Sequence, residues 1–300
     1  MFTGCGTALV TPFKNDLSLD EHCLRQLVRR QLDAGIDFLV PCGTTGESPT
    51  LTRKEHLRVV EIVLEEANGV KPVLAGAGGY NTAEVIELAH ELQAMGVDGL
   101  LSVTPYYNKP TQEGLYQHYK AIAAAVKLPL VVYNVQGRTG VNVEPFTLAR
   151  LAAIDNVYGV KEASGNISQM ANILNRVPDH FVVLSGDDAI SLPLIALGGR
   201  GLISVASNEI PAEMTALIRA CRTGDFAAAR AIQKQYLPLM EINFIESNPL
   251  PVKYAMAAMG LLEPVWRLPL VPPLQVSKDK INMVLESLGL LAARSAHVAG

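Results

Sequence analysis

Apolar residues along this chain fall into short unbroken runs separated by amphipathic stretches, and the two alternate from residue 5 to residue 222. The runs at 5–10, 38–41, 73–76, 99–103, 130–133, 158–160, 182–184 and 201–205 recur roughly every 20 to 35 residues, the length a βα unit requires. They show no inside–outside alternation, as expected of strands buried on both faces. Between them the pattern is helical. Leu24, Leu27, Val28 and Leu32 share one face of a predicted helix, and Val85, Leu88, Ala89 and Leu92 share one face of another. Ser18-x-x-Glu21 and Thr52-x-x-Glu55 have the capping-box form that starts a helix. Eight such strands, seven intervening helices and one more after Pro211 predict an α/β fold, a parallel (β/α)8 TIM barrel. The alternative, a doubly wound open sheet, would have fewer strands and a site at its switch point.

Past Gly224 the strand pattern stops. Residues 226–240 are alanine-rich and helical, 250–262 and 279–291 read as two further helices, and a proline-rich link at 264–273 separates the last two. The expected organisation is a barrel domain over 1–224 and a C-terminal helical domain over 225–300, packed on the barrel without a low-complexity linker.

Composition narrows the function. Three hundred residues, 49% of them apolar, can bury a large core. A net charge of −4 without a basic stripe argues against nucleic acid or a membrane surface as a partner. Cys5, Cys23, Cys42 and Cys221 are far apart and form no C-x-x-C, which predicts reduced thiols in a cytoplasmic protein. The six histidines show no H-x-x-x-H spacing, so no catalytic metal is expected. The first thirteen residues are apolar but lack a basic flank, and Pro12 cuts them short; they read as a first strand and not as a signal peptide. No stretch is long and charge-free enough to span a bilayer. Gly76–Gly79 lacks the G-x-G-x-x-G spacing of a dinucleotide site, and no G-x-S-x-G elbow occurs.

Active sites of such barrels lie at the C-terminal ends of the strands. Thr44, Thr45 and Ser48 follow the second strand, and Tyr106 and Tyr107 the fourth. Tyr133 ends the fifth, with Arg138 just beyond; Lys161 ends the sixth, and Gly186-Asp187-Asp188 follow the seventh. Burial disfavours a charged amine, and a neutral amine attacks carbonyl carbon. One lysine, several hydroxyls and one arginine on a single rim are the parts of a Schiff-base site with a proton relay and a carboxylate anchor. Each part has a plainer reading: a salt-bridged lysine at a strand end, a strand-to-helix turn at Gly43–Gly46, a packed Tyr133, a surface Arg138. Tyr106-Tyr107 also reads as a subunit contact, and His56 and Glu84 as solvated helix faces.

Taken together, the motifs ALVTPF (8–13), GTTGES (43–48), VTPYYNKPTQEGLYQH (103–118), YNVxxRTG (133–140), GVKEASGN (159–166), LSGDD (184–188), GLISVASN (201–208) and NPLPVK (248–253) resemble the dihydrodipicolinate synthase family. That family belongs to the pyruvate-dependent, Schiff-base-forming aldolases, which include N-acetylneuraminate lyase. The resemblance covers almost the whole chain in collinear order.

It implies a synthase of 4-hydroxy-tetrahydrodipicolinate in lysine and diaminopimelate biosynthesis, acting on pyruvate and L-aspartate 4-semialdehyde. By the resemblance, Lys161 forms the imine with pyruvate, and Tyr133, Thr44 and Tyr107 make up the proton relay, Tyr107 reaching into a neighbouring subunit. Thr45 matches the ligand of the pyruvate carboxylate and Arg138 the group that holds the carboxylate of the aldehyde. Gly186 and Ile203 match backbone contacts lining the site. No cofactor is implied, because the lysine is itself the electron sink. A homotetramer built as a dimer of dimers is implied as well. Ser48, His56, Glu84 and Tyr106 match the family's allosteric site for L-lysine. Two positions depart from the pattern. Gln136 stands where the family usually has proline, leaving the Arg138 loop without a φ restraint. Tyr80 stands where lysine-inhibited members usually carry a smaller polar residue, so altered affinity for L-lysine is expected. The alternatives are another pyruvate aldolase, acting on a sugar acid, or a non-catalytic barrel that binds a 2-oxo acid.

Overall fold

The computed structural model describes residues 1–291. The last nine residues of the expected C-terminal domain, 292–300, lie outside that range. Eight parallel strands alternate with helices: β1 Gly4–Ala8, α1 Glu21–Asp33, β2 Phe38–Val40, α2 Arg53–Ala67, β3 Leu74–Gly76, α3 Thr82–Met95, β4 Gly99–Val103 and α4 Gln112–Ala125. Next come β5 Leu130–Asn134, two helices α5 Gln136–Thr139 and α6 Pro145–Leu151, β6 Val157–Glu162, α7 Ile167–Leu174, β7 Val182–Ser185, α8 Ser191–Ala196, β8 Gly201–Ser204 and α9 Pro211–Arg222. Three further helices follow: α10 Phe226–Ile242, α11 Leu250–Ala258 and α12 Gln275–Ser287.

The strands run in the order β2-β1-β8-β7-β6-β5-β4-β3, and a parallel bridge between Leu39 and Val73 joins the two ends. The sheet is therefore a closed (β/α)8 barrel. Its interior is filled by Phe2, Phe38, Leu74, Leu101, Val131, Leu184 and Ile203. A larger apolar layer lies between strands and helices and includes Leu239, Met240, Ile281 and Leu285 from the C-terminal helices. Barrel and C-terminal helices thus bury apolar surface in one continuous core, although the strand pattern ends at Gly224.

Two local expectations come out differently. Thr52 and Glu55 form a full capping box at α2, but Ser18 and Glu21 do not at α1. There Asp20, immediately before the helix, accepts from the Cys23 N–H, while Ser18 bonds Asp16 and Glu21 pairs with Arg58. An aspartate at the N-cap position satisfies the orphan donor, so the upstream serine is left to its own turn. The last two helices also end earlier than the pattern suggests, at Ala258 and Ser287, just before Gly260 and Gly289 adopt positive φ.

The C-terminal helices are tied to the barrel by a fully buried ion pair. Lys253 Nζ donates to Glu47 Oε1 at 2.5 Å and to the Thr11 carbonyl at 3.1 Å, and lies 4.5 Å from the Phe13 ring centroid. Burial pushes the Glu47 carboxyl up and the Lys253 amine down, each opposed by the partner's charge. Removing one partner strands the other charge in a dry site. Lys253→Met is therefore expected to lower the unfolding free energy by about 3–5 kcal/mol in urea titrations. Adding Glu47→Gln should recover most of that loss; an unchanged loss would show that the two are not coupled.

His56 and His118 are also buried, and burial holds both down to about 4 from the ordinary 6.5. The unfolded chain takes up these protons below pH 6.5, the folded chain only near pH 4. Stability is accordingly full above pH 6.5 and falls as the pH drops through that window. His56→Gln with His118→Gln should flatten this part of the stability–pH curve.

Candidate active site

Strands β5 and β6 pair so that Tyr133 is opposite Lys161, and in a parallel ladder such residues face the same side. Here that side is the barrel interior at its C-terminal mouth. Lys161 is 5% exposed, and its Nζ lies 4.1 Å from the Tyr133 ring centroid. It makes no ion pair among the described residues. The buried, salt-bridged lysine of this fold is Lys253, with Glu47.

One register further on, Glu162 and Asn134 face outward and bond each other at 2.9 Å. Glu162 also accepts from the Ser164 N–H and from Gln169, and Asn134 reaches Asn142 and the Val143 N–H. This layer clamps the chain just after Lys161 and fastens the loop after β5.

A cavity of about 220 Å³ opens over the lysine, lined by Thr45, Tyr133, Arg138, Lys161, Gly186, Asp187 and Asn248, with apolar walls from Val135, Ala163, Val205 and Phe244. Gly186 must be glycine here. A Cβ on it would lie 3.0 Å from Lys161 Cε and 2.6 Å from Ala163 Cβ. Asn248, at the turn before α11, holds two other lining residues. Its Nδ2 donates to Thr45 Oγ1 at 2.9 Å, and its carbonyl accepts from Arg138 Nη2 at 3.0 Å.

The missing proline at 136 leaves Arg138 well placed. Gln136–Thr139 form a single helical turn closed by the Gly140 N–H on the Gln136 carbonyl, with Gly140 at φ +69°. Thr139 Oγ1 bonds the carbonyls on either side, at Val135 and Val141. Gln136 takes the first helical position, where proline's missing N–H and fixed φ are a convenience and not a necessity.

The loop after β2 carries the threonines. Cys42 and Glu47 take left-handed φ of +55° and +54°, Thr11 Oγ1 bonds the Gly46 carbonyl at 2.7 Å, and Lys253 anchors Glu47 below. Thr44 lines a second, adjoining cavity of about 210 Å³ with Ser48, Tyr106 and Thr139; Val135 and Arg138 form its wall with the first. His56 is buried, its Nε2 3.0 Å from the Gly76 carbonyl. Tyr80 stacks edge-on against Tyr106 at 5.1 Å, and Glu84 is exposed and accepts from Asn81. Ile203 is buried in the barrel interior and lines neither cavity with its neighbours. Tyr107 is 89% exposed at φ +69° and lines neither cavity.

So the fold brings Lys161, Tyr133, Thr45, Arg138 and Gly186 to one cavity and Thr44, Ser48 and Tyr106 to the next, and leaves Tyr107 outside. The strand-end pattern puts Asp187 on the rim without a role, while Asn248 and the Glu47–Lys253 pair are marked in the sequence only by the NPLPVK and GTTGES motifs. No group of three or more His, Cys, Asp or Glu placed to hold a metal ion occurs among the described residues, and none of their helices is long and apolar enough to cross a membrane.

The chain matches the family model described as the dihydrodipicolinate synthetase family over residues 1–288. It is 54% identical over 292 residues to the 4-hydroxy-tetrahydrodipicolinate synthase of Chloroherpeton thalassium, with 97% of each chain covered. Among solved structures, the dihydrodipicolinate synthase of Aquifex aeolicus superposes with a TM-score of 0.95 at 42% identity, covering 97% of this chain and 100% of that one. A chloride-inhibited dihydrodipicolinate synthase of Acinetobacter baumannii complexed with pyruvate gives 0.95 at 40% identity, with 97% and 100% covered. A closed barrel with an unpaired lysine at its mouth and matches that run almost end to end place this chain in the dihydrodipicolinate synthetase family.

Proposed function

We propose that this protein is a 4-hydroxy-tetrahydrodipicolinate synthase, condensing pyruvate with L-aspartate 4-semialdehyde through an imine on Lys161. The observation that carries the reading is the unpaired, buried Lys161 amine against Tyr133, in one cavity with Thr45 and Arg138. The amine attacks the keto carbon of pyruvate, and water leaves as the imine forms. Loss of a methyl proton gives the enamine, whose carbon attacks the aldehyde. The amine of the second substrate then closes the ring onto the imine carbon, and the lysine leaves. The iminium is the electron sink, so the reaction needs no cofactor.

Thr45, fixed by Asn248, takes the pyruvate carboxylate, and Arg138 takes the carboxylate of the aldehyde with a planar pair of donors. Tyr133 moves protons at the reacting carbon, relayed through Thr44 and the Tyr107 of a second copy. Gly186 and Ile203 supply backbone contacts. The exposure of Tyr107 suits a residue that acts in a neighbouring subunit, in an assembly of at least two copies and, as a dimer of dimers, four. L-Lysine regulates at Ser48, His56, Glu84 and Tyr106, with Tyr80 narrowing the site by its stack on Tyr106. The barrel over 1–224 is the catalytic unit and the helices from 225 its extension. The four free, buried cysteines suit the cytoplasm.

Borohydride reduction in the presence of pyruvate, followed by peptide mapping, should place the adduct on Lys161 alone; in Lys161→Ala no adduct should form. Mass gained at another residue would overturn the mechanism. Arg138→Ala should keep the pyruvate adduct while kcat/KM for aspartate 4-semialdehyde falls by about 100-fold, the value of a charge-assisted carboxylate contact. Loss of both together would remove Arg138 from the aldehyde subsite.

A further inference from the structure

The cavity over Lys161 holds a carboxylate with no assigned task. Asp187 is the only acidic side chain that lines it among the described residues. The adjacent Asp188 is fully committed: Ser204 Oγ–H and the N–H groups of Val205 and Ala206 all donate to it. Asp187 is held only by backbone: its Oδ1 accepts from the Ala189 N–H at 2.9 Å, and the neighbouring Ile190 N–H also favours its charged form. It forms no ion pair among the described residues, neither with Lys161 nor with Arg138.

The bond to Ala189 closes a tight turn, and an asparagine, serine or threonine would close it equally well. The turn therefore does not explain a charge. Burial pushes the Asp187 carboxyl up, disfavouring its charged form. A cation arriving in the cavity reverses that balance. Of the two substrates proposed above, pyruvate carries no cation. The aldehyde carries an α-ammonium, on the same carbon as the carboxylate given to Arg138. Once the carboxylate is on Arg138, the ammonium on the same carbon lies in the cavity that Asp187 also lines, until it gives up a proton and closes the ring.

We propose that Asp187 is the specificity-determining residue for the second substrate, its carboxylate receiving the α-ammonium of aspartate 4-semialdehyde. The inference rests on the functional reading above and adds to it a subsite for the amino group. Arg138 and Asp187 then read the two charges of one zwitterionic carbon, and an aldehyde lacking the ammonium meets an unpaired, half-buried carboxylate. The penalty for such a mismatch is the larger part of the discrimination.

The test compares aspartate 4-semialdehyde with succinic semialdehyde, the analogue in which hydrogen replaces the ammonium, used as a competitive inhibitor. Asp187→Asn keeps the turn bond to Ala189 and removes the charge. It should lower kcat/KM for aspartate 4-semialdehyde by about 10- to 100-fold, the range for a hydrogen bond to a charged group. The Ki of succinic semialdehyde should stay level or fall, and borohydride trapping of pyruvate should be unchanged. Asp187→Ser, which also keeps an acceptor for Ala189, should behave alike and guards against a folding defect in either variant. Equal losses for the two aldehydes, or no change for either, would overturn the assignment. Wild-type protein that traps pyruvate but does not turn over aspartate 4-semialdehyde would instead overturn the functional reading, and this inference with it.

Discussion

Taking an amine out of water costs several kcal/mol unless a carboxylate or a set of acceptors goes with it. This chain buries two lysines and treats them oppositely. Lys253 is given Glu47, the Thr11 carbonyl and the face of Phe13. Lys161 is given the ring of Tyr133 and an open cavity. The first arrangement is what structure alone demands of a buried cation. The second leaves the amine without a counterion, facing a space large enough for a small keto acid. The surrounding parts of the mouth, from the glycine at 186 to the polar layer around Glu162, keep that amine in place without neutralising it.

The two lysines are mechanically linked. Lys253 sits on α11 and fixes Glu47, two residues after Thr45; Asn248, one turn earlier, bonds Thr45 directly and takes Arg138 on its carbonyl. A segment outside the barrel thus holds a loop after β2 and a loop after β5 at once. The threonine loop needs such support, because Cys42 and Glu47 adopt left-handed backbone angles that cost a non-glycine residue roughly 1 kcal/mol or more each. Tyr107 and Lys109 in the loop after β4 share this conformation, but Tyr107 has no comparable clamp among the described residues and is exposed. The C-terminal helices are part of the site's scaffold, packed on the barrel through a shared apolar layer.

The cavity is lined by charges of both signs. Arg138 and Asp187 line it with opposite signs and do not pair with each other, while Asp188, one residue on, is wholly absorbed in bonding the loop after β8. Adjacent aspartates therefore do different work: one ties two strand ends together, and one remains available to a ligand.

The barrel was legible in the chain because doubly buried parallel strands leave continuous apolar runs at regular spacing, and eight such runs leave little choice of architecture. Lys161, Tyr133, Thr45 and Arg138 could be selected for the same reason, since reactive side chains at strand ends of a barrel converge on one rim. What the sequence could not decide was partnership. Whether Lys161 or Lys253 carries a counterion depends on residues 206 positions apart, and the same holds for Thr45 and Asn248, 203 apart. The start of α1 was misread because Ser18 and Asp20 are both good caps and only the path of the chain chooses between them. Gln136 looked like a lost restraint because the bonds that replace proline come from Thr139 and Gly140 in the folded loop. Periodicity records burial, a property each segment carries by itself; pairing is decided by which segments the closed barrel brings together.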